Sequence, residues 1–120
     1  MPENEVMNEP GLPAQTGRLQ VRLVEESSRR PVEGAQVSIT YEGDPESAVR
    51  RYTTNMSGMT ELIELPAPNL EYSTQFSEPQ PYAEYTVQVQ AAGYEDAEVA
   101  GTEILPGVTA IQGIRMRPLA

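Results

Sequence analysis

The feature that most constrains this chain is a pair of phrases in which a glycine turn opens onto a short strand. The first is Pro31-Val32-Glu33-Gly34-Ala35-Gln36-Val37-Ser38-Ile39. The second is Thr54-Asn55-Met56-Ser57-Gly58, which leads into Leu62, Ile63, Glu64, Leu65 and Pro66. Apolar residues at every second position suit a strand with one buried face, because strand side chains alternate between faces. A helix needs apolar residues three and four apart, and no segment keeps that spacing over three turns.

The alternation recurs along the chain. Leu19, Val21 and Leu23 alternate with Arg18, Gln20 and Arg22. Val37, Ile39 and Tyr41 share one face of a second strand at 35–41. A turn holding Gly43, Asp44 and Pro45 precedes a third strand at 49–54. A fourth is predicted at 60–65, stopped by Pro66 and Pro68, with Pro31 at a strand entry or edge. A long connection at 66–81 follows, rich in proline, with room for an extra strand at 70–75. Tyr85, Val87, Val89 and Ala91 then mark a strand at 84–91, which turns at Gly93-Tyr94. A weaker strand at 95–104 is interrupted by Glu98 and Gly101. The last, at 108–116, is predicted to bulge at Gln112-Gly113.

Short strands separated by glycine and proline turns predict an all-β fold, a single Greek-key β-sandwich of about seven strands. The 120 residues suit one domain with one core. Residues 17–118 carry the sandwich. Residues 1–16 contain Glu3, Glu5 and Glu9 among Pro2, Pro10 and Pro13, and read as a disordered acidic lead-in. That stretch has neither the basic start nor the apolar run of a signal peptide.

Composition narrows the chemistry. There is no histidine, cysteine or tryptophan, and all eight basic residues are arginine. Hydrolase triads built on His or Cys are therefore excluded within this chain, as are thiolate metal sites and lysine Schiff bases. Carboxylate-only glycoside hydrolysis is the main surviving enzyme class, with Glu61, Glu64 and Glu71 as the available acids. Nothing in their spacing builds a cleft, and the expectation is no enzyme and no cofactor. A net charge of −10 disfavours nucleic acid and anionic membrane surfaces as partners. No stretch approaches the roughly 20 apolar residues of a membrane span.

Two segments remain as contact candidates. Glu42, Asp44 and Glu46 could gather calcium weakly or form a solvated turn, and the second reading requires no ion. Metal binding is therefore not expected. Tyr72, Phe76 and Tyr82 sit among prolines, where a stiff loop loses little entropy on binding a glycan or peptide. The competing reading folds these rings over an open end of the sandwich, with Tyr85 in the core. The basic clusters are Arg29-Arg30 and Arg50-Arg51, and Arg115 and Arg117 are expected on the outer face of the last strand.

In order along the chain, Pro31 to Ile39, Thr54-Asn55-x-x-Gly58, Leu65-Pro66, Tyr85-x-Val87-x-Val89 and Gly93-Tyr94 resemble the signature of carboxypeptidase regulatory-like domains. The fold markers are thus Pro31, Gly34, Asn55, Gly58, Pro66, Gly93 and Tyr94. The resemblance implies a transthyretin-like (prealbumin-like) sandwich. Ile63-Glu-Leu-Pro-Ala-Pro-Asn-Leu-Glu-Tyr72, Pro79-Gln-Pro-Tyr82 and Ile104-Leu-Pro-Gly107 resemble the N-terminal sandwich of clostridial spore cortex-lytic enzyme precursors and related peptidoglycan-binding proteins. That implies a bacterial, non-catalytic accessory domain working beside a cell-wall or spore-cortex protein. It also implies a protein or cell-wall glycan or peptide as partner. Related adhesin stalk domains join Lys to Asn in an isopeptide bond. Without lysine that bond is excluded, and Asn55 is expected to cap its turn. Pairing through an exposed edge strand is a further way for such a chain to assemble.

Overall fold

The computed structural model describes residues 15–42, 49–67 and 83–119. These form seven strands: β1 (Gln15–Glu25), β2 (Gln36–Tyr41), β3 (Arg50–Thr53), β4 (Ile63–Ala67), β5 (Ala83–Gln90), β6 (Ala97–Ile104) and β7 (Thr109–Met116). Two sheets pack face to face, one ordered β4-β1-β7 and the other β3-β2-β5-β6. The chain crosses between sheets after β1, β3, β4 and β6, as the expected sandwich requires. β1 pairs antiparallel with β4 and parallel with β7, so the first and last strands lie side by side.

The alternation read from the sequence sets the core. Leu19, Val21 and Leu23 are fully buried, and their inner face meets Val37, Ile39, Val87 and Val89 from the opposite sheet. Arg18, Gln20 and Arg22 fall on the other side.

The two glycine phrases are joined to each other. β4 covers β1 only from Gln15 to Leu19, which leaves the second half of that edge of β1 without a strand. There, the N–H of Leu23 donates to Gly58 O at 2.8 Å, and Leu23 O accepts from the N–H of Val32 at 3.1 Å. The Val21 N–H donates to Thr60 Oγ1 at 3.0 Å. The buried Thr54 hydroxyl donates to Val32 O at 2.7 Å and accepts from the Ala35 N–H at 2.9 Å. Main-chain bonds from Gly34 N–H to Thr54 O and from Thr54 N–H to Ala35 O complete the clasp.

Asn55 caps its turn as expected: Oδ1 accepts from the N–H groups of Ser57 and Met59. Gly58 has φ +75°, and a Cβ there would lie 2.5 Å from Leu23 O and 3.0 Å from Val32 N. Gly34 has φ +78° with open space around it.

Three expectations are corrected. Pro66 does not stop β4; it lies within it, paired with Thr16. β4 is an edge strand, where a residue lacking an N–H is tolerated. The bulge is not at Gln112-Gly113, where β7 keeps unbroken register with β1. It falls in β6 against β5 between the Tyr85 and Val87 pairings, where Gly101 takes φ +75°. A glycine free to adopt positive φ makes such a bulge at little cost, whereas Gly113 has no such φ. β1 also begins at Gln15, two residues inside the predicted lead-in, because Gln15 and Thr16 pair with Ala67 and Pro66. Residues 1–14 and the possible strand at 70–75 lie outside the described residues.

Gly58→Ala is expected to cost about 3 kcal/mol, since positive φ and a backbone clash combine. Gly34→Ala bears the backbone term alone and should cost about 1 kcal/mol. Urea unfolding of the two variants checks the difference.

Candidate functional site

Two connections leave the same end of the sandwich. The register sets Tyr41 beside Tyr85, Ala83 beside Ile104 and Gln15 beside Ala67 at that end. Residues 43–48 leave it after β2, and residues 68–82 run between β4 and β5. Tyr72, Phe76 and Tyr82 fall in the second connection and lie outside the described residues, as do Asp44, Glu46 and Glu71.

The described floor of this end is built from Tyr41, Pro66 and Tyr85. Tyr85 belongs to the core, as its alternation predicted, and is 4% exposed. Its hydroxyl donates to Pro66 O at 2.7 Å, tying β5 of one sheet to β4 of the other. Burial pushes the Tyr85 phenol up to about 12, partly offset by the nearby charge of Arg50. The Tyr41 ring lies 5.3 Å from that of Tyr85, tilted by 47°, and remains 40% exposed. Arg50 Nη1 donates to Glu64 O at 2.9 Å and links edge strand β3 to edge strand β4.

Glu42 has a role that the sequence did not reveal. Its Oε2 accepts from the Gly101 N–H at 2.6 Å and from Thr86 Oγ1 at 2.7 Å. The bond from Gly101, then that from Thr86, holds the carboxyl below its usual range. Glu42 thus spans from β2 across β5 to the β6 bulge. Only Gly101 inside a strand signalled it, since an interior strand glycine often marks a bulge. No group of three candidate metal ligands occurs among the described residues.

The remaining acids do not converge. Glu64 projects from the outer face of β4 beside Arg18, and Glu61 is exposed in the segment before β4. At the opposite end of the molecule, Gly93 takes φ +86° and sets the turn before β6. The Tyr94 hydroxyl donates to Glu25 Oε2 at 2.9 Å, and Leu119 N–H donates to Gly93 O at 3.0 Å. Hydrogen bonds from Ser28 and Tyr94 lower the Glu25 carboxyl, and the same carboxylate raises the Tyr94 phenol. Pro31 bridges to Val24 of β1. Arg115 is exposed on β7, while Arg117 lies just beyond it and pairs with Glu26 at 3.4 Å.

No family model and no curated protein matches the chain. Solved structures share its fold. A region of the Bacillus anthracis TIE protein aligns at 18% identity and TM-score 0.58, covering 87% of this chain and 17% of that one. A minor pilin of Streptococcus agalactiae aligns at 17% identity and TM-score 0.62, covering 92% and 48%. Hydroxyquinol 1,2-dioxygenase from Pseudomonas putida aligns at 15% identity and TM-score 0.61, covering 88% and 57%. The chain therefore spans less than two thirds of each of these proteins, and at such identities the likeness is one of fold alone.

Because the folded pKa of Tyr85 lies above the ordinary tyrosine value, its contribution to stability is complete below about pH 10. It is lost as pH rises through 10 toward about 12. Tyr85→Phe should lower stability near neutrality by about 1 kcal/mol and flatten the alkaline decline. Urea midpoints across that range check this, and an equal decline in both proteins would contradict it.

Proposed function

We propose that the chain is a non-catalytic accessory or interaction module that works beside a bacterial cell-wall or spore-cortex protein. The observation that carries this reading is the use made of its polar groups. Buried Thr54 and Thr60 and the hydroxyl of Tyr85 all bond main-chain partners that fix turns or join sheets. The Glu42 carboxylate accepts from the Gly101 N–H, and that of Glu25 accepts from the Tyr94 hydroxyl. Such groups serve as fasteners.

Composition supports the reading, since the chain has no histidine, cysteine or lysine to act as base or nucleophile. The fold likeness to a minor pilin and to part of the TIE protein also supports it, because in both the fold is one portion of a longer chain. The ordered motifs from Pro31 to Tyr94 favour a carboxypeptidase regulatory-like, transthyretin-like domain, and those at 63–72 and 79–82 favour the spore-cortex association.

A second reading makes the module a glycan or peptide binder through loop 66–82. Its support is the exposed ring of Tyr41 packed against anchored Tyr85, which follows that loop closely in sequence. Sedimentation with purified peptidoglycan tests both. The chain is expected to co-sediment, and Tyr72→Ala with Phe76→Ala should reduce binding about tenfold if the loop makes the contact. Full binding by the double variant would refute the loop reading. No binding by any form would refute the cell-wall association, and hydrolysis of the polymer would refute the non-catalytic role.

A further inference from the structure

The four sheet edges are not equally protected. β3 has four residues, and Arg50 ties it to β4. β4 has five residues and contains Pro66. β6 is interrupted by the Gly101 bulge. Short edges, prolines and bulges all discourage pairing with another chain. β7 has none of these: it runs for eight residues and keeps unbroken register with β1. Among the described residues nothing pairs with its outer side.

The donors on that side can be named. Arg18 N–H donates to Val108 O and Glu26 N–H to Met116 O, at the two ends of the β1–β7 ladder. Parallel pairing uses alternate residues, so the even-numbered positions of β7 serve β1. The main chain of Ile111, Gly113 and Arg115 therefore turns outward. Gln112 Nε2 reaches round to Gly113 O at 3.0 Å, a side chain answering one outward carbonyl.

The side chains beside this edge define what would add to it. Ile111 is 63% exposed. Gly113 presents open space, and its register partner on β1 is Arg22. With no side chain at 113, a residue on an added strand could reach across to the Arg22 guanidinium. Arg115 lies two residues further along the same face. A second copy fits poorly in the register centred on Gln112. Antiparallel self-pairing centred on Gln112 would set each Arg115 beside the other copy's Thr109, which holds Arg18 at 2.8 Å. Like charges would meet twice between chains that each carry a net charge of −10.

We propose that the outer edge of β7 is a strand-addition site for an extended acidic segment of another protein. Its alternate residues are apolar opposite Ile111, acidic opposite Gly113 and acidic opposite Arg115. Main-chain bonds to the outward groups supply affinity, and the two carboxylates facing Arg22 and Arg115 supply selectivity. The residues changed to test this edge, Arg22, Gly113 and Arg115, are distinct from Tyr72 and Phe76.

The test uses the full chain labelled with nitrogen-15 and four capped peptides. They are Thr-Val-Thr-Ile-Thr-Glu-Thr-Glu-Thr, its reverse, and both with Lys in place of Glu. At least one glutamate peptide is expected to shift the amides of residues 109–115 and slow hydrogen exchange at Ile111, Gly113 and Arg115. The Lys peptides should bind about tenfold more weakly, as two reversed cross-strand charge pairs require. Arg22→Glu with Arg115→Glu, both exposed positions, should invert that preference while leaving the remaining spectrum folded. Gly113→Pro removes one outward N–H and should weaken the glutamate peptide without disturbing Leu23 or Ala35. The proposal is overturned if Glu and Lys peptides bind alike, if shifts fall away from β7, or if no peptide binds. It is equally overturned if sedimentation shows a dimer whose β7 amides gain protection with concentration.

Discussion

The pairing of Leu23 governs how this sandwich holds together. β4 is too short to cover β1 beyond Leu19, yet the buried half of β1 that follows still carries main-chain donors and acceptors. Leaving one such group unpaired costs on the order of 1–3 kcal/mol. The chain meets the need with two loops rather than a longer strand. Gly58 O and Val32 N–H serve Leu23, and Thr60 serves Val21. The close approach demands glycine at 58, and the Thr54 hydroxyl then fixes Val32 and Ala35 in place. From Ala35 the chain enters β2, so the clasp also helps align the second sheet with the first.

Much of this was legible because it rests on local chemistry. Alternation together with turn signals predicted all seven described strands, and the burial of Leu19, Val21, Leu23, Val87 and Val89 follows from the alternation directly. The Asn55 cap could be read from its place before a glycine turn. What could not be read depends on neighbours distant in sequence. Pro66 looks like a strand stop unless β4 is known to be an edge. Gly101 and Gly113 are equally suspect as strand glycines, and only the reach of Glu42 from the end of β2 picks out Gly101. Sequence alone marks Thr54 as no more than the start of a turn, because its partners lie 19 and 22 residues away. Of the candidate contact residues, Tyr72, Phe76 and Tyr82 lie outside the described residues, whereas Tyr41 emerged only once its ring was seen beside Tyr85.

The architecture divides its labour. One end is closed by the clasp, by the turn at Gly93 and by the bond from Tyr94 to Glu25. The other end releases the two connections at 43–48 and 68–82 from a floor pinned by Tyr85 and Arg50. One long side presents the regular edge of β7. The buried hydroxyls of Thr54 and Thr60 and that of Tyr85 are committed to bonds within the sandwich. The faces differ in charge as well. Arg18, Arg22 and Arg115 lie with Glu64 on the outer face of the β1 sheet, while Glu84, Glu98 and Glu103 lie with Arg51 on the other sheet.

The clasp is tested most directly by urea unfolding of Thr54→Val beside Thr53→Val. The two substitutions are alike in shape, but Thr54 is 3% exposed with two main-chain partners, whereas Thr53 is exposed. The account predicts that Thr54→Val lowers stability by about 2–4 kcal/mol while Thr53→Val changes it by less than about 0.5 kcal/mol. Equal and small losses in both proteins would show that Thr54 does not hold the two glycine phrases together.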